Sequence, residues 1–273
     1  MKPANIILDL LRTYRLRGTT AQDLTVTGQL FGFSENQIRV TLSRLVNRDT
    51  IEIVQRGHYR LCATADPVND LAEGWRLGEA RMKDWTGAHW LCVHYQSSPS
   101  GKGKEKAPWA LTCFGFQKVA GGLWIRPDNL TRTTQSLKQH LITLGVPDSV
   151  IIMENAVFED QITGAWISSI NLAELEQQYT LMNQRLVTSL NRLPDLPIDL
   201  AKKESFEIGG RGIQILAKDP LLPESILPSN SRRQLWETMC QYDTAGRKIW
   251  AGKHQPETMP TSQLNFETLE AVQ

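Results

Sequence analysis

Residues 32 to 61, "GFSENQIRVTLSRLVNRDTIEIVQRGHYRL", gather side chains suited to a polyanion that also carries hydrogen-bonding edges. Arg39, Arg44 and Arg56 supply guanidinium donors. Asn36, Gln37 and Asn47 supply amides that donate and accept together, while Ser43 and His58 add a hydroxyl and an imidazole. Val40 and Ser43 are small enough to allow close approach. Such groups bind phosphate oxygens and the edges of stacked bases, provided that one surface presents them together.

Helical spacing supplies that surface. Ile38, Leu42, Leu45 and Val46 form one apolar stripe, and Asn36, Gln37, Arg39, Val40, Ser43, Arg44 and Asn47 lie opposite it. Ser34 is a natural N-cap with Gln37 three residues on, so the spacing predicts a helix from about 34 to 48. Upstream, Ile6, Ile7, Leu10, Leu11 and Tyr14 recur at helical intervals, and a second helix fits Thr20 to Leu30, with Leu24 and Leu30 inward. Downstream, "TIEIVQRGHYRLC" alternates apolar and polar residues on either side of "QRGH", which reads as a hairpin with Arg56 and His58 at its tip. Three helices and a hairpin over residues 1–63 make a winged helix-turn-helix, whose third helix enters the major groove of double-stranded DNA while the wing meets the backbone or the minor groove. Small three-helix units also serve as dimerisation or protein-docking modules, and that reading stays open.

Charge agrees with the first reading. The chain of 273 residues carries a net charge of only +1. Residues 1–61, however, hold nine bases (Lys2, Arg12, Arg15, Arg17, Arg39, Arg44, Arg48, Arg56, Arg60) against five acids (Asp9, Asp23, Glu35, Asp49, Glu52). A local surplus of cations is what counterion release from phosphates requires.

The rest of the chain supplies the frame. With 41% hydrophobic and 22% charged residues the composition is that of a folded protein in water, and the length suits two or three domains. No apolar run approaches the roughly 18 residues of a spanning helix, and the N-terminus lacks a signal-peptide pattern, so the expected setting is the cytoplasm, without membrane. Cys62, Cys92, Cys113 and Cys240 lie far apart and read as buried thiols. Residues 64–86 read as a connecting helix. Residues 87–163 alternate strand and helix in the order β-α-β-α-β, a ferredoxin-like pattern; here "APWALTCFGFQKVAGG" reads as one helix closed by glycine, and Lys102, Lys104 and Lys106 stand in a polar loop. Residues 164–252 read as a helical domain, with Leu172, Leu175, Tyr179, Met182, Leu186 and Leu190 along one long helix and "GGRG" at 209–212 as a flexible turn. Residues 253–273 lack periodicity and read as a disordered tail. The fold class is thus α+β.

The segments "GFSENQIRVTLSRLVN…GHYRL", "GFQKVAGGLWIRP", "LGVPDSVIIM" and "DPLLPESILP" resemble, in this order, the PaaX family, the repressors of phenylacetic acid degradation operons. The resemblance runs from about residue 5 to 243. It implies a winged-helix N-domain, a central ferredoxin-like domain similar to small CRISPR-adaptation endonucleases, a helical C-domain, a homodimer, and an operator complex released by a coenzyme A thioester such as phenylacetyl-CoA. Arg39 and Arg44 match the arginines of the family's third-helix pattern; Asp219, Pro220, Leu221, Leu222, Pro223, Leu227 and Pro228 match its C-terminal signature. An acyl-CoA site needs cations for its phosphates and an apolar slot, for which Arg126, Arg211, Arg232, Arg233, Trp124 and Trp236 are the candidates. The segment "FEIGGRGIQILAK" departs from the longer helical stretch common in the family.

Nucleases related to the central domain hold a divalent metal on an aspartate ending the first strand, where this chain has Tyr95 and Gln96. His89 and His94 fall on opposite faces of a strand, and no P-loop, G-x-S-x-G or H-E-x-x-H pattern occurs. The sequence therefore reads as non-enzymatic, with no metal and no cofactor. The alternative is a nucleic-acid-processing or scaffold protein built on the central domain.

Overall fold

The computed structural model describes residues 2–14, 18–62, 74–96, 106–119 and 122–251 of a mixed α+β chain with two antiparallel sheets. At the N-terminus, α1 (Pro3–Tyr14) buries Ile6, Ile7, Leu10 and Leu11. A two-residue strand β1 (Thr19–Thr20) leads into α2 (Ala21–Leu30), whose N-cap Thr20 accepts a hydrogen bond from Asp23 N–H at 3.1 Å. Gly28 lets α2 lie on the next helix: a Cβ there would stand 2.5 Å from Ile38 Cδ1. Next come α3 (Glu35–Val46), then β2 (Ile51–Gln55) and β3 (His58–Leu61), joined by Arg56 and Gly57. The sheet order is β1-β3-β2, with Thr19 opposite Tyr59 and Ile51 opposite Leu61. Ile6, Leu11, Leu24, Ile38, Leu42 and Ile51 close one small core beneath these elements.

The described part of the connecting segment is not the α-helix read from the sequence. Trp75–Arg81 is 3-10 helix broken at Gly78 (φ 52°, ψ −129°), where Trp236 packs so closely that no Cβ would fit. Residues 64–73 of that expected helix lie outside the described residues, as do Lys102 and Lys104 and the tail 253–273.

The central strands and helices run β4 (Trp90–His94), α4 (Lys106–Cys113), β5 (Gln117–Lys118), β6 (Trp124–Pro127), α5 (Thr134–Thr143) and β7 (Ile151–Ala156), and the sheet order is β5-β6-β4-β7, every neighbour antiparallel. The order β-α-β-β-α-β corrects the expected β-α-β-α-β. Helix α4 stops at Cys113 because Gly115 (φ +75°) turns the chain against Pro220, which frees Gln117–Lys118 to pair with β6. One sheet face packs Leu91, Val93 and Trp124 on α4 and α5. The other packs Trp90, Cys92 and Ile125 against α6 (Asp160–Ser168), α7 (Leu172–Arg192), α8 (Ile198–Ala217) and α9 (Asn230–Ala251). The 163/164 boundary read from the sequence falls inside α6, whose Trp166 donates from Nε1 to the Ile125 carbonyl at 2.7 Å; sheet and C-terminal helices thus share one core.

The glycine-rich segment is helix, not turn. Gly209, Gly210 and Gly212 all lie within α8, and a Cβ on Gly212 would meet Met239 Sδ at 2.7 Å. Glycine costs helix propensity but lets α8 approach α9, and the packing outweighs the propensity. Among the described residues no helix is long and apolar enough to cross a membrane.

Candidate nucleic-acid interface

Helix α3 is fixed at its start by a reciprocal cap. Gln37 N–H donates to Ser34 Oγ at 3.3 Å, and Ser34 N–H donates to Gln37 Oε1 at 2.8 Å. Ile38, Leu42 and Leu45 are buried, and Asn36, Gln37, Arg39, Val40, Ser43, Arg44 and Asn47 are all exposed, so the structure gathers the seven sequence-read residues on the outward side. Two of them have local partners. Gln37 is the cap, and Arg39 forms an ion pair with Glu35 one turn before it. Arg44, Arg48 and Arg56 carry no ion pair among the described residues. Asn, Ser and Val are poor helix formers compared with the Glu, Lys and Ala of an ordinary solvated face, so this face is not composed for helix stability.

The hairpin is held from both sides. Strand β3 pairs with β1 as well as β2, and Ala21 N–H donates to the Gly57 carbonyl at 2.8 Å, which ties the tip to the start of α2. Arg60 and Glu52 pair across the ladder, where they stand directly opposite. A bulge at Val54 separates Ile53 from Gln55, and both Ile53 and Val54 are exposed beside Arg56. Sequence alternation did not signal that bulge, nor did it single out Arg48, exposed just past the end of α3.

A second contact orients the whole unit. Phe31, in the turn between α2 and α3, packs on Phe206 of α8 with the rings tilted, and Phe206 meets Trp250 near the end of α9. Lys202 lies over Trp250, whose Nε1 donates to Ser205 Oγ at 3.2 Å. Beside these residues a cleft of about 450 Å³ separates α2 from the C-terminal helices. Phe206 and Trp250 sit in amphipathic helices, where their pattern is indistinguishable from that of core residues.

The six residues read as an effector site do not converge. Arg126 is 1% exposed; it donates to the carbonyls of Phe114, Pro127 and Leu221 and to Asn129 Oδ1, and burial pulls its pKa down to about 9. Arg232 is also buried, with Nε and Nη2 on Glu79 at 2.9 and 3.1 Å and Nη1 on the Leu222 carbonyl. Both arginines fasten the proline-rich segment that follows α8. There Asp219 accepts from Leu221 N–H at 2.7 Å, and burial holds its carboxyl above the usual range against the opposing pull of Arg232 and Arg81. Trp124 is buried in the sheet, and Trp236 donates to the Trp75 carbonyl. Arg233 reaches Ser229. Arg211 alone faces an open groove of about 460 Å³ between α7 and α8, where Leu181, Ile208, Arg185 and Arg192 join it. Among the described residues no three His, Cys, Asp or Glu side chains are grouped to hold a metal ion.

Scans against protein-family models and against curated proteins returned no match. Among solved structures, the chain is similar to the uncharacterized protein Rv0674 from Mycobacterium tuberculosis, at 17% identity and a TM-score of 0.55, over 90% of this chain and 99% of that one. That likeness concerns the fold.

Proposed function

We propose that this chain is a sequence-specific, double-stranded-DNA-binding transcriptional repressor of the PaaX type, with α1–α3 and the β2–β3 hairpin as a winged helix-turn-helix, β4–β7 with α4 and α5 as a ferredoxin-like domain, and α6–α9 as the helical C-domain. The observation that carries this reading is the outward face of α3, capped, exposed and composed of Asn36, Val40, Ser43, Arg44 and Asn47. Phosphate contacts fall to Arg48 and Arg56, and base contacts to the middle of α3. It acts in the cytoplasm as a homodimer, for which β7, one of the two edges of the sheet, is the surface: Ile151 and Met153 are exposed there, and among the described residues β7 pairs with β4 alone.

The effector is an acyl-CoA. The groove of Arg185, Arg192 and Arg211 beside Leu181 and Ile208 supplies cations next to apolar surface, which the buried Arg126 and Arg232 do not. Arg192 is shared with Glu204, so Arg185 and Arg211 are the freer pair for phosphate. An effector acts by binding the DNA-incompetent state more tightly.

Selection of duplexes from a random pool tests the DNA reading. The expected product is an inverted repeat with half-sites about 34–36 Å apart or a multiple of that, released by phenylacetyl-CoA and not by free coenzyme A. Failure to enrich any sequence would overturn it.

A further inference from the structure

Val40 is the one large apolar side chain on the outward face of α3. It is 41% exposed and stands across the helix from Ile38, Leu42 and Leu45, all buried. Asn36 lies one turn before it and Ser43 and Arg44 one turn after, so a hydrogen-bonding group flanks it on each side along the axis. A valine there leaves much of its apolar surface open to solvent, and its branched Cβ makes it a poorer helix former than the alanine or lysine that a solvated position accepts. Ser43 is short, which lets the middle of the helix come close to whatever it faces.

We infer that Val40 reads the C5 methyl group of a thymine in the half-site that α3 enters. This rests on the DNA-binding reading above and adds the identity of one base. In the major groove thymine is the natural base that presents a methyl group, beside a carbonyl acceptor; cytosine presents an amino donor next to a bare C5–H. Valine has no donor or acceptor, so contact with that methyl is the discrimination open to it. Arg44 and Asn36, by their chemistry, take neighbouring purines, with the guanidinium on guanine O6 and N7 and the amide on adenine N6 and N7.

The test replaces each thymine of a selected half-site, one at a time, with 2′-deoxyuridine, which removes the methyl and keeps every hydrogen-bonding group. Full-length wild type should lose about fourfold in affinity at one position, the loss expected when one methyl group is left exposed. Val40→Ala, folded by circular dichroism, should bind the thymine and uracil duplexes equally at that position. Equal wild-type affinity for every substituted duplex overturns the assignment, as does a loss that persists in Val40→Ala. Selection that enriches no sequence contradicts the DNA-binding reading itself, so the two failures are told apart.

Discussion

The rings of Phe31 and Phe206 lie 5.1 Å apart, centroid to centroid, tilted by 57°. One sits in the turn that aims α3, and the other sits on α8 within the helices that line the arginine groove. The contact joins the turn before α3 to α8, one of the two helices that line the groove of Arg185, Arg192 and Arg211, and it joins the small N-terminal core to Trp250 as well.

Phe206→Ala should remove that joint. A partly buried aromatic in contact with two others carries about 2 kcal/mol of packing and ring interaction. Urea unfolding should show a loss of that size, and limited proteolysis should release the N-terminal unit faster than in wild type. Unchanged stability and unchanged cleavage would mean that the two parts are joined elsewhere.

The Arg76–Asp243 pair tethers the 3-10 segment to α9, with Arg76 Nη1 2.7 Å from Asp243 Oδ2 and Arg247 Nε 2.9 Å from the same oxygen. Burial alone would raise the Asp243 carboxyl, but the hydrogen bonds from Arg76 and Arg247 outweigh it and hold the group below its ordinary value. A carboxyl depressed in the folded state stabilises fully above its unfolded pKa of about 3.9, and that stability is lost as pH falls through the folded value. Asp243→Asn should therefore cost about 1–2 kcal/mol at pH 7, a difference that shrinks below about pH 4. A gap between the two proteins that stays constant from pH 7 to pH 2.5 would contradict it.

Arg126 tests the reassignment of a candidate ligand residue to structure. Arg126→Met leaves the Phe114 carbonyl and Asn129 Oδ1 buried without their donor. The expected loss is about 3–5 kcal/mol of stability, insensitive to salt because the group is out of water. Thermal unfolding at low and high salt measures it. A normally stable variant would return Arg126 to the list of ligand residues.

Local signals explain what was legible beforehand. Ser34 and Gln37 are three residues apart and cap each other, and Ile38, Leu42 and Leu45 mark the buried stripe without help from the rest of the chain; α3 and its outward face followed from these. The hairpin followed from alternation. Strand β5 did not, because two residues, Gln117 and Lys118, carry no period, and β6 alone makes them a strand. Helix α8 was hidden by Gly209, Gly210 and Gly212, whose low propensity is overridden by the packing of Gly209 and Gly212 on Tyr242 and Met239. Arg126 and Arg232 read as surface cations because their type seldom lies buried; only the carbonyls and Glu79 gathered around them by tertiary structure make burial tolerable. The groove of Arg185, Arg192 and Arg211 joins two helices that are separate in sequence, so no spacing announces it.

The most direct test is fluorescence anisotropy of wild type and Arg44→Ala on a selected duplex and on a scrambled one at fixed salt. Base reading by α3 predicts that wild type prefers the selected duplex, that Arg44→Ala loses about 1–3 kcal/mol on it and little on the scrambled one, and that Arg56→Ala weakens both alike. Equal losses on both duplexes for Arg44→Ala, or no preference by wild type, would contradict it.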